Sequence, residues 1–242
     1  MAIAFDSSTS GSTSTQSPNI SFNNVAGNCI IATFYDNSGS DTFTAAPTWN
    51  GVSMTLITNG KQTLPSGNFA YTYGMYGAST GTHNVSVTRN SSGSGQVLTY
   101  AIATWSGTTT TGFPDSSNTS TGSTTTSISI SDTVVVNNSW TVLCYNSADG
   151  NGITAGTGST QRAVDSLKRS GIFDSNAGQT PGSHSMALTN VNPDRWGLVI
   201  IGIAPPASGP ANVKTVDGLA IASVKTVNGL AIASVKTIDG LA

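Results

Sequence analysis

The chain has 242 residues, enough to bury a sizeable core in one large domain or two small ones. Charged residues make up only 8% of it, against about 25% in an average soluble protein, and none of them is a glutamate. The net charge of −2 and the nine scattered Lys and Arg argue against a nucleic-acid binder, and no apolar run reaches the roughly 20 residues of a membrane span. Because Glu, Lys and Arg usually fill exposed helix faces, their scarcity favours an all-β fold.

Short runs of β-branched and aromatic residues, separated by Gly, Asn and Ser, predict strands along the first half of the chain. Asn50-Gly51 predicts a type I′ hairpin turn, because both residues tolerate the positive φ that this turn needs. The alternation after the turn predicts that Val52, Met54 and Leu56 share one apolar face. The candidate strands are Cys29–Tyr35, Thr48–Trp49, Val52–Ile57, Phe69–Tyr76, His83–Thr88 and Val97–Trp105.

The second half of the body continues the β pattern after a Ser/Thr-rich stretch. Most of Thr108–Thr126 is predicted to be an exposed loop. Ala163–Arg169 is compatible with a single helical turn. About twelve strands without crossover helices predict an antiparallel, jelly-roll-like β-sandwich over residues 1–203. The later strand candidates are Ser127–Ile130, Trp140–Tyr145, Arg162–Val164, Gly171–Phe173, Ser185–Leu188 and Trp196–Ile203.

Residues 204–212, rich in Pro, Ala and Gly, predict a linker, and residues 213–242 form a tail with an 11-residue repeat. Val213–Ser223 and Val224–Ser234 are near-identical copies, and Val235–Ala242 is a truncated third. This period is also compatible with a right-handed coiled coil. The flanking Val and Ile residues and the regularly spaced turn pairs favour hairpins instead. These pairs are Asp217-Gly218, Asn228-Gly229 and Asp239-Gly240.

Three small hairpins cannot bury a core by themselves, so the repeats are predicted to be an assembly segment that docks against something. The body of the same chain, identical subunits and a larger particle are all compatible with the pattern. The predicted contacts are the apolar positions Val213, Val216, Leu219, Ile221, Val224, Val227, Leu230, Ile232, Val235 and Ile238.

The tail resembles the Lys-Thr-Val-Asn-Gly-type repeats of phage tail-fibre and other virion structural proteins. Thr48–Leu56, His83–Val87 and Ile153–Thr160 are similar to segments of β-sandwich modules in phage and metagenomic virion proteins. The resemblance implies a multi-copy surface role, in capsid decoration or in a tail appendage. It implies identical subunits as partners, in a homo-oligomer such as a trimer, and other virion proteins such as the major capsid protein.

The start of the chain bears on localisation. Met1–Asp6 has neither the basic region nor the apolar region of a secretory signal. The low charge and the abundance of Ser, Thr, Gly and Asn are nevertheless typical of extracellular proteins. Assembly in the host cytoplasm followed by a place on the virion surface reconciles the two observations.

Patterns that carry chemistry are scarce, so the chain is predicted to be non-enzymatic and to need no cofactor or metal. His83 and His184 have no metal-ligand spacing and are expected at exposed strand ends, and no Gly-x-Ser-x-Gly elbow precedes a helix. A hydrolase is disfavoured because no facing pair of carboxylates is evident. A calcium site between Asp-bearing loops is an alternative that the sequence leaves open. The aspartates predicted to be turn residues are Asp36, Asp41, Asp115, Asp149 and Asp174.

The aromatic residues leave a second function open. Each Trp lies in or beside an apolar strand, which favours core packing. An exposed platform of the same rings would instead make the chain a carbohydrate-binding module or the tip of a tail fibre, with a host-surface glycan as partner. The rings concerned are Trp49, Trp105, Trp140, Trp196, Tyr71, Tyr73 and Tyr76.

The two cysteines, Cys29 and Cys144, lie inside apolar strand-like runs. Free Cys behaves as a small hydrophobic residue, so two buried free thiols are expected. A disulfide between them is the alternative that the sequence leaves open.

Overall fold

The computed structural model describes residues 2–90, 95–207, 215–216, 219–220, 226–227 and 230–231, the last four ranges and residues 190–194 by their backbone. The chain divides into two units, Met1–Pro205 and Pro206–Ala242. In the described residues the secondary structure is strand and turn, and the strand pairs are antiparallel. None of them belongs to a helix that could span a membrane. The all-β antiparallel prediction is confirmed, whereas the jelly-roll arrangement and the count of about twelve strands stay predictions.

The described strands of the first unit form three sheets. Sheet I has the order β1-β9-β3-β7-β6, sheet II the order β10-β15-β11-β14-β13 with β12 paired to β15, and sheet III the order β2-β8-β4-β5. Their bounds are β1 Ala4–Thr13, β2 Asn19–Asn24, β3 Cys29–Asp36, β4 Thr48–Trp49, β5 Val52–Ser53, β6 Thr55–Thr63, β7 Phe69–Tyr76, β8 Gly81–Ser86, β9 Leu98–Ser106, β10 Ser116–Val134, β11 Trp140–Ser147, β12 Ile153–Ala155, β13 Thr160–Val164, β14 Ser170–Asp174 and β15 Gly182–Ile203.

Sheet I is covered on both faces. One face packs against sheet II around Ile31, Trp105 and Val199, and the other packs against sheet III around Phe34, Trp49 and Val85. Every residue of β3 is therefore buried, with successive side chains entering alternate cores. An antiparallel sheet usually leaves one face to water, so this double coverage explains why Cys29–Asp36 is apolar or aromatic at every position except Thr33 and Asp36.

The strands β10 and β15 form a long ribbon that folds back on itself. Their register shifts between Gly122 and Ser127, which divides the ribbon into two halves. Asn118 Nδ2 donates to the carbonyl oxygen of Ser131 at 2.8 Å, so the halves of β10 lie side by side. The second half covers the outer face of sheet II and completes a third core. The apolar residues of this core include Ile128, Ile130, Leu143, Tyr145, Phe173, Met186, Leu188 and Leu198.

This ribbon corrects two predictions. The predicted loop Thr108–Thr126 is wrong from residue 116 onwards, where β10 begins. Ser and Thr hydroxyls are tolerated on an extended, partly exposed strand, so their abundance does not by itself indicate a loop. Ser185–Leu188 and Trp196–Ile203 are parts of the single strand β15.

The Asn50-Gly51 hairpin is confirmed, but the apolar face after it is wrong. Asn50 and Gly51 have φ of 48° and 78°, and Trp49 pairs with Val52 across the turn. Val52 and Leu56 are 55% and 42% exposed, whereas Met54 is 2% exposed. The chain passes from sheet III to sheet I at Met54, and this crossing ends the alternation that one continuous strand would keep.

The segment Ala163–Arg169 is a hairpin turn rather than a helical turn. The carboxylate of Asp165 accepts hydrogen bonds from the backbone N–H groups of Leu167, Arg169 and Ser170 at 2.6 to 2.7 Å. An Asp side chain that bonds the backbone a few residues later stabilises a turn, and here it joins β13 to β14.

Side-chain hydrogen bonds join the edges of sheets I and II. Ser8 Oγ and Ser10 Oγ of β1 donate to the carbonyl oxygens of Arg162 and Val164 on β13, at 2.8 and 3.0 Å. At the opposite edge, Gln62 Nε2 of β6 donates to the carbonyl oxygen of Ser120 on β10 at 3.2 Å. Edge strands expose unpaired backbone groups that invite aggregation. The serines of β1 cover part of this edge by linking it to β13.

Candidate functional site

The predicted assembly segment contains two short hairpins. Strands β16 (Thr215–Val216) and β17 (Leu219–Ala220) pair antiparallel across residues 217–218. Strands β18 (Thr226–Val227) and β19 (Leu230–Ala231) pair in the same way across residues 228–229. The equivalent register in both copies is the structural counterpart of the sequence repeat.

Four of the ten predicted assembly contacts lie in these strands. The register places Val216 opposite Leu219 and Val227 opposite Leu230. The third turn, Asp239-Gly240, lies outside the described residues, and the role of the whole segment in assembly stays a prediction. The other predicted contacts also lie outside the described residues; they are Val213, Ile221, Val224, Ile232, Val235 and Ile238.

The aromatic platform considered from the sequence is not exposed. Core packing is confirmed for the four tryptophans and for Tyr71, Tyr73 and Tyr76, because none of these residues is more than 8% exposed. Burial raises the pKa of Tyr73 to about 12, with a further contribution from the charge of Asp41. A sugar-binding surface would have to use other aromatic residues.

A buried ion pair links β3 to the segment after β8. Arg89 Nη1 lies 3.0 Å from Asp36 Oδ2, and both side chains are 0% exposed. Thr42 Oγ1 donates to the same oxygen at 2.5 Å, and Asp36 Oδ1 accepts from the backbone N–H of Ser38. The predicted turn role of Asp36 is confirmed, but its pairing with Arg89 was missed because the two residues are 53 positions apart.

An exposed ion pair lies near the buried pair of Asp36 and Arg89. Lys61 pairs with Asp41, and the Tyr71 hydroxyl donates to Asp41 Oδ1 at 2.7 Å. Burial and then the bond to Asp41 raise the pKa of Tyr71. For Asp41, burial raises the pKa, but the bonds from Lys61 and Tyr71 outweigh it and the net pKa is lowered. Within the described residues, no group of three or more His, Cys, Asp or Glu is placed to hold a metal ion.

A second buried carboxylate, Asp174, connects the indole of Trp105 to Arg162. Trp105 Nε1 donates to Asp174 Oδ2 at 2.9 Å, and Arg162 Nε donates to the same oxygen at 2.8 Å. Asp174 Oδ1 accepts from the backbone N–H of Asn176, which confirms its predicted turn role. The carboxylate thus joins sheet I to the β13–β14 edge of sheet II.

A buried polar network crosses between sheets I and II. Asn146 Nδ2 donates to Thr33 Oγ1 at 2.6 Å, and Ser170 Oγ donates to Asn146 Oδ1 at 3.2 Å. Thr33 and Ser170 in turn bond Thr72 and Thr99 at 3.0 and 2.7 Å. Because buried hydroxyls and amides are costly when unpaired, this network favours one register between the two sheets.

The cysteines and histidines have structural surroundings. Cys29 and Cys144 are buried and free, which confirms the predicted thiols, and burial raises the pKa of both. His83 is half-buried with its ring edge against Trp49, at a centroid distance of 5.4 Å. His184 is also half-buried, with Nε2 at 2.6 Å from the carbonyl oxygen of Thr180. Both histidines lie near the start of a strand, as expected, but each is partly covered rather than exposed.

Asp6 joins β1 to β9 and to the turn after β2. Its carboxylate accepts hydrogen bonds from Thr104 Oγ1 at 2.9 Å and from the backbone N–H groups of Val25 and Ala26 at 3.1 and 3.0 Å. Burial raises the pKa of Asp6, but these bonds outweigh it and hold the pKa below its ordinary value of 3.8. The charged form therefore stabilises the fold.

Replacing Asp6 with Asn is expected to lower stability at neutral pH and to flatten the acid dependence. Because the folded pKa lies below the unfolded one, the contribution of Asp6 is complete above the unfolded value of about 4 and is lost as the pH falls through the folded pKa. Melting temperatures measured from neutral pH to about pH 2 should converge for the two proteins in acid. Parallel curves would contradict this role.

A groove opens at the connection between β1 and β2. Its volume is about 470 Å³, and its walls carry Thr13, Thr15, Ser17 and Asn19. Tyr100 of β9 lies at the groove and is half-buried. Sequence reasoning missed this feature, because Ser, Thr and Asn occur throughout the chain and Tyr100 sits inside an otherwise apolar run.

Comparison of the chain with protein-family models, with curated proteins and with solved structures finds no match.

Proposed function

We propose that this chain is a non-enzymatic structural protein of a phage particle, displayed in many copies on the capsid surface. The repeat segment mediates its assembly or docking, with identical subunits or other virion proteins as partners. The observation that carries the proposal is the pair of hairpins with equivalent register in successive 11-residue copies.

The hairpins favour a docking role because of their size. Each has two-residue strands, and an isolated two-stranded hairpin is marginally stable in water. Further strands or a packed surface are needed to stabilise such units, and a neighbouring subunit offers both through strand addition. Repetition then sums several weak contacts into one durable attachment.

The body has the properties of a rigid display module. Its described residues pack into four buried apolar clusters within and between the sheets, and hydroxyl and amide side chains join the edges of sheets I and II. The buried carboxylates of Asp36, Asp165 and Asp174 are engaged in turns and ion pairs that hold the fold. These engagements favour a structural role for the aspartates over an acid–base role.

Changing Leu219 and Leu230 together to Asp is expected to dissociate the assembled chain. The two substitutions place a charge at the same register position of both hairpins, where burial against a partner becomes unfavourable. Light scattering after size exclusion should give a multiple of the 24.5 kDa chain mass for the native protein and one chain mass for the variant.

The matched control changes Val52 and Val135 to Asp on the body, where these residues are 55% and 63% exposed. Like the tail variant, this control replaces two apolar residues with aspartates, and it should leave the oligomer mass unchanged. A native chain that is monomeric at micromolar concentration, or a tail variant that keeps the native mass, rejects self-assembly through the repeats.

A further inference from the structure

The groove between β1 and β2 has the size of a ligand site. Its volume of about 470 Å³ falls within the usual range for small-molecule pockets, roughly 300–1,000 Å³. It is bounded by the chain from Thr13 to Ser21 and by Tyr100. It is thus formed by the edge strands β1 and β2, by the connection between them and by one side chain of β9.

The chemistry of the lining selects for a neutral, polar ligand. Among the described residues, eight line the groove, and none of these is charged. Hydroxyl and amide groups both donate and accept hydrogen bonds, so they match the hydroxyls of a sugar. An anion would find no cation in this lining, and a wholly apolar ligand would leave many of the polar groups unpaired. The polar residues are Thr13, Thr15, Ser17, Asn19 and Ser21.

A glycine makes room for the aromatic ring at the groove. Gly11 pairs with Tyr100 across β1 and β9, and a Cβ at Gly11 would lie 2.6 Å from the Tyr100 hydroxyl oxygen. The ring therefore lies directly over the glycine backbone, which a larger residue would prevent. The half-buried ring offers an apolar surface beside the polar wall, and this combination orients a ligand in a pocket.

The polar wall is preorganised by the body. Arg89 Nε and Nη2 donate to the carbonyl oxygen of Thr15 at 3.3 and 3.2 Å, while the same guanidinium pairs with buried Asp36. The carbonyl oxygen of Pro18 accepts from the backbone N–H of Val87 at 3.0 Å. Asn19 Oδ1 accepts from Ser86 Oγ at 2.6 Å, which orients the amide. A wall that is already ordered loses little entropy when it binds.

We propose that this groove binds a neutral glycan, with Tyr100 as the stacking surface and the Thr13–Ser21 wall as the hydrogen-bonding surface. The proposal goes beyond multi-copy display and does not depend on it. Display would multiply the weak affinity expected of a small open site.

The test uses the full chain, isotopically labelled, and NMR titration with maltose, cellobiose, lactose and chitobiose at millimolar concentration. Binding of at least one disaccharide should shift amide signals of residues 13–21 and 98–102. Ser17→Trp fills the groove from an exposed position and should weaken that binding at least tenfold. Tyr100→Ala should do the same.

The matched control is Thr63→Trp, an equally large side chain at an exposed position on β6, the opposite edge of sheet I. It should leave affinity within twofold of the native value. Three results overturn the proposal: no shift with any of the four sugars, shifts outside the groove, or unchanged affinity in Ser17→Trp. The oligomer mass is measured separately. If the chain is monomeric and binds sugar, self-assembly through the repeats is rejected and the glycan site is supported.

Discussion

Replacing Arg89 with Met is expected to lower the free energy of unfolding by about 3–5 kcal/mol, because it leaves a carboxylate buried without its cation. Asp36 and Arg89 are both 0% exposed and are joined at 3.0 Å. Thr42 Oγ1 and the Ser38 N–H still bond Asp36 in the variant, but neither supplies a positive charge. Urea unfolding followed by tryptophan fluorescence measures the loss.

Two further variants isolate the charge effect. Asp36→Asn combined with Arg89→Met removes both charges and should recover part of the stability, because a neutral buried pair has a smaller desolvation cost. Lys61→Met breaks the exposed pair with Asp41, whose side chains are 43% and 42% exposed, and should change stability by about 0–1 kcal/mol. If Arg89→Met and Lys61→Met lower the free energy of unfolding equally, the buried pair contributes no more to stability than the exposed one.

Arg89 also connects the core to the groove. The guanidinium that neutralises Asp36 holds the carbonyl oxygen of Thr15 in the groove wall. Loss of this side chain should therefore disorder residues 13–18 as well as destabilise the body. Amide hydrogen exchange in that segment should rise in Arg89→Met and stay near native values in Lys61→Met.

Local patterns predicted strands and turns well where the residues that determine them are neighbours in the sequence. The apolar runs at Cys29–Tyr35 and Trp140–Tyr145 and the Asn50-Gly51 turn correspond closely to β3, β11 and the β4–β5 hairpin. Each is determined by neighbouring residues, through β-branched side chains or a need for positive φ. Such features can be predicted from a single sequence.

Features that depend on distant residues were missed. The Ser/Thr-rich half of β10 has no alternating apolar signal. Its contacts with β15 and with its own second half make it a strand, and these contacts are not visible in the local sequence. Val52 and Leu56 look like core residues until the change of sheet at Met54 is known. Tyr100 owes its place at the groove to its pairing with Gly11, which the sequence does not reveal.

Replacing Trp105 with Ala is expected to lower the free energy of unfolding by about 3–5 kcal/mol, the usual cost of truncating a fully buried Trp. Trp105 is 0% exposed and lies in the core between sheets I and II. Its indole N–H also donates to Asp174 at 2.9 Å. Trp105→Phe keeps most of the apolar volume and removes that donor, so it reports on the hydrogen bond more than on packing.

Trp140→Phe is the matched control, because Trp140 lies in the same core, is 8% exposed and has no described bond to a carboxylate. A hydrogen bond to a charged group contributes about 1.5–3 kcal/mol, so Trp105→Phe should cost more than Trp140→Phe by about that amount. Arg162 still pairs with Asp174 in the variant, which keeps the carboxylate neutralised. Equal losses in the two Phe variants would mean that Arg162 and the Asn176 N–H satisfy Asp174 without the indole, and that Trp105 stabilises the junction of sheets I and II through packing.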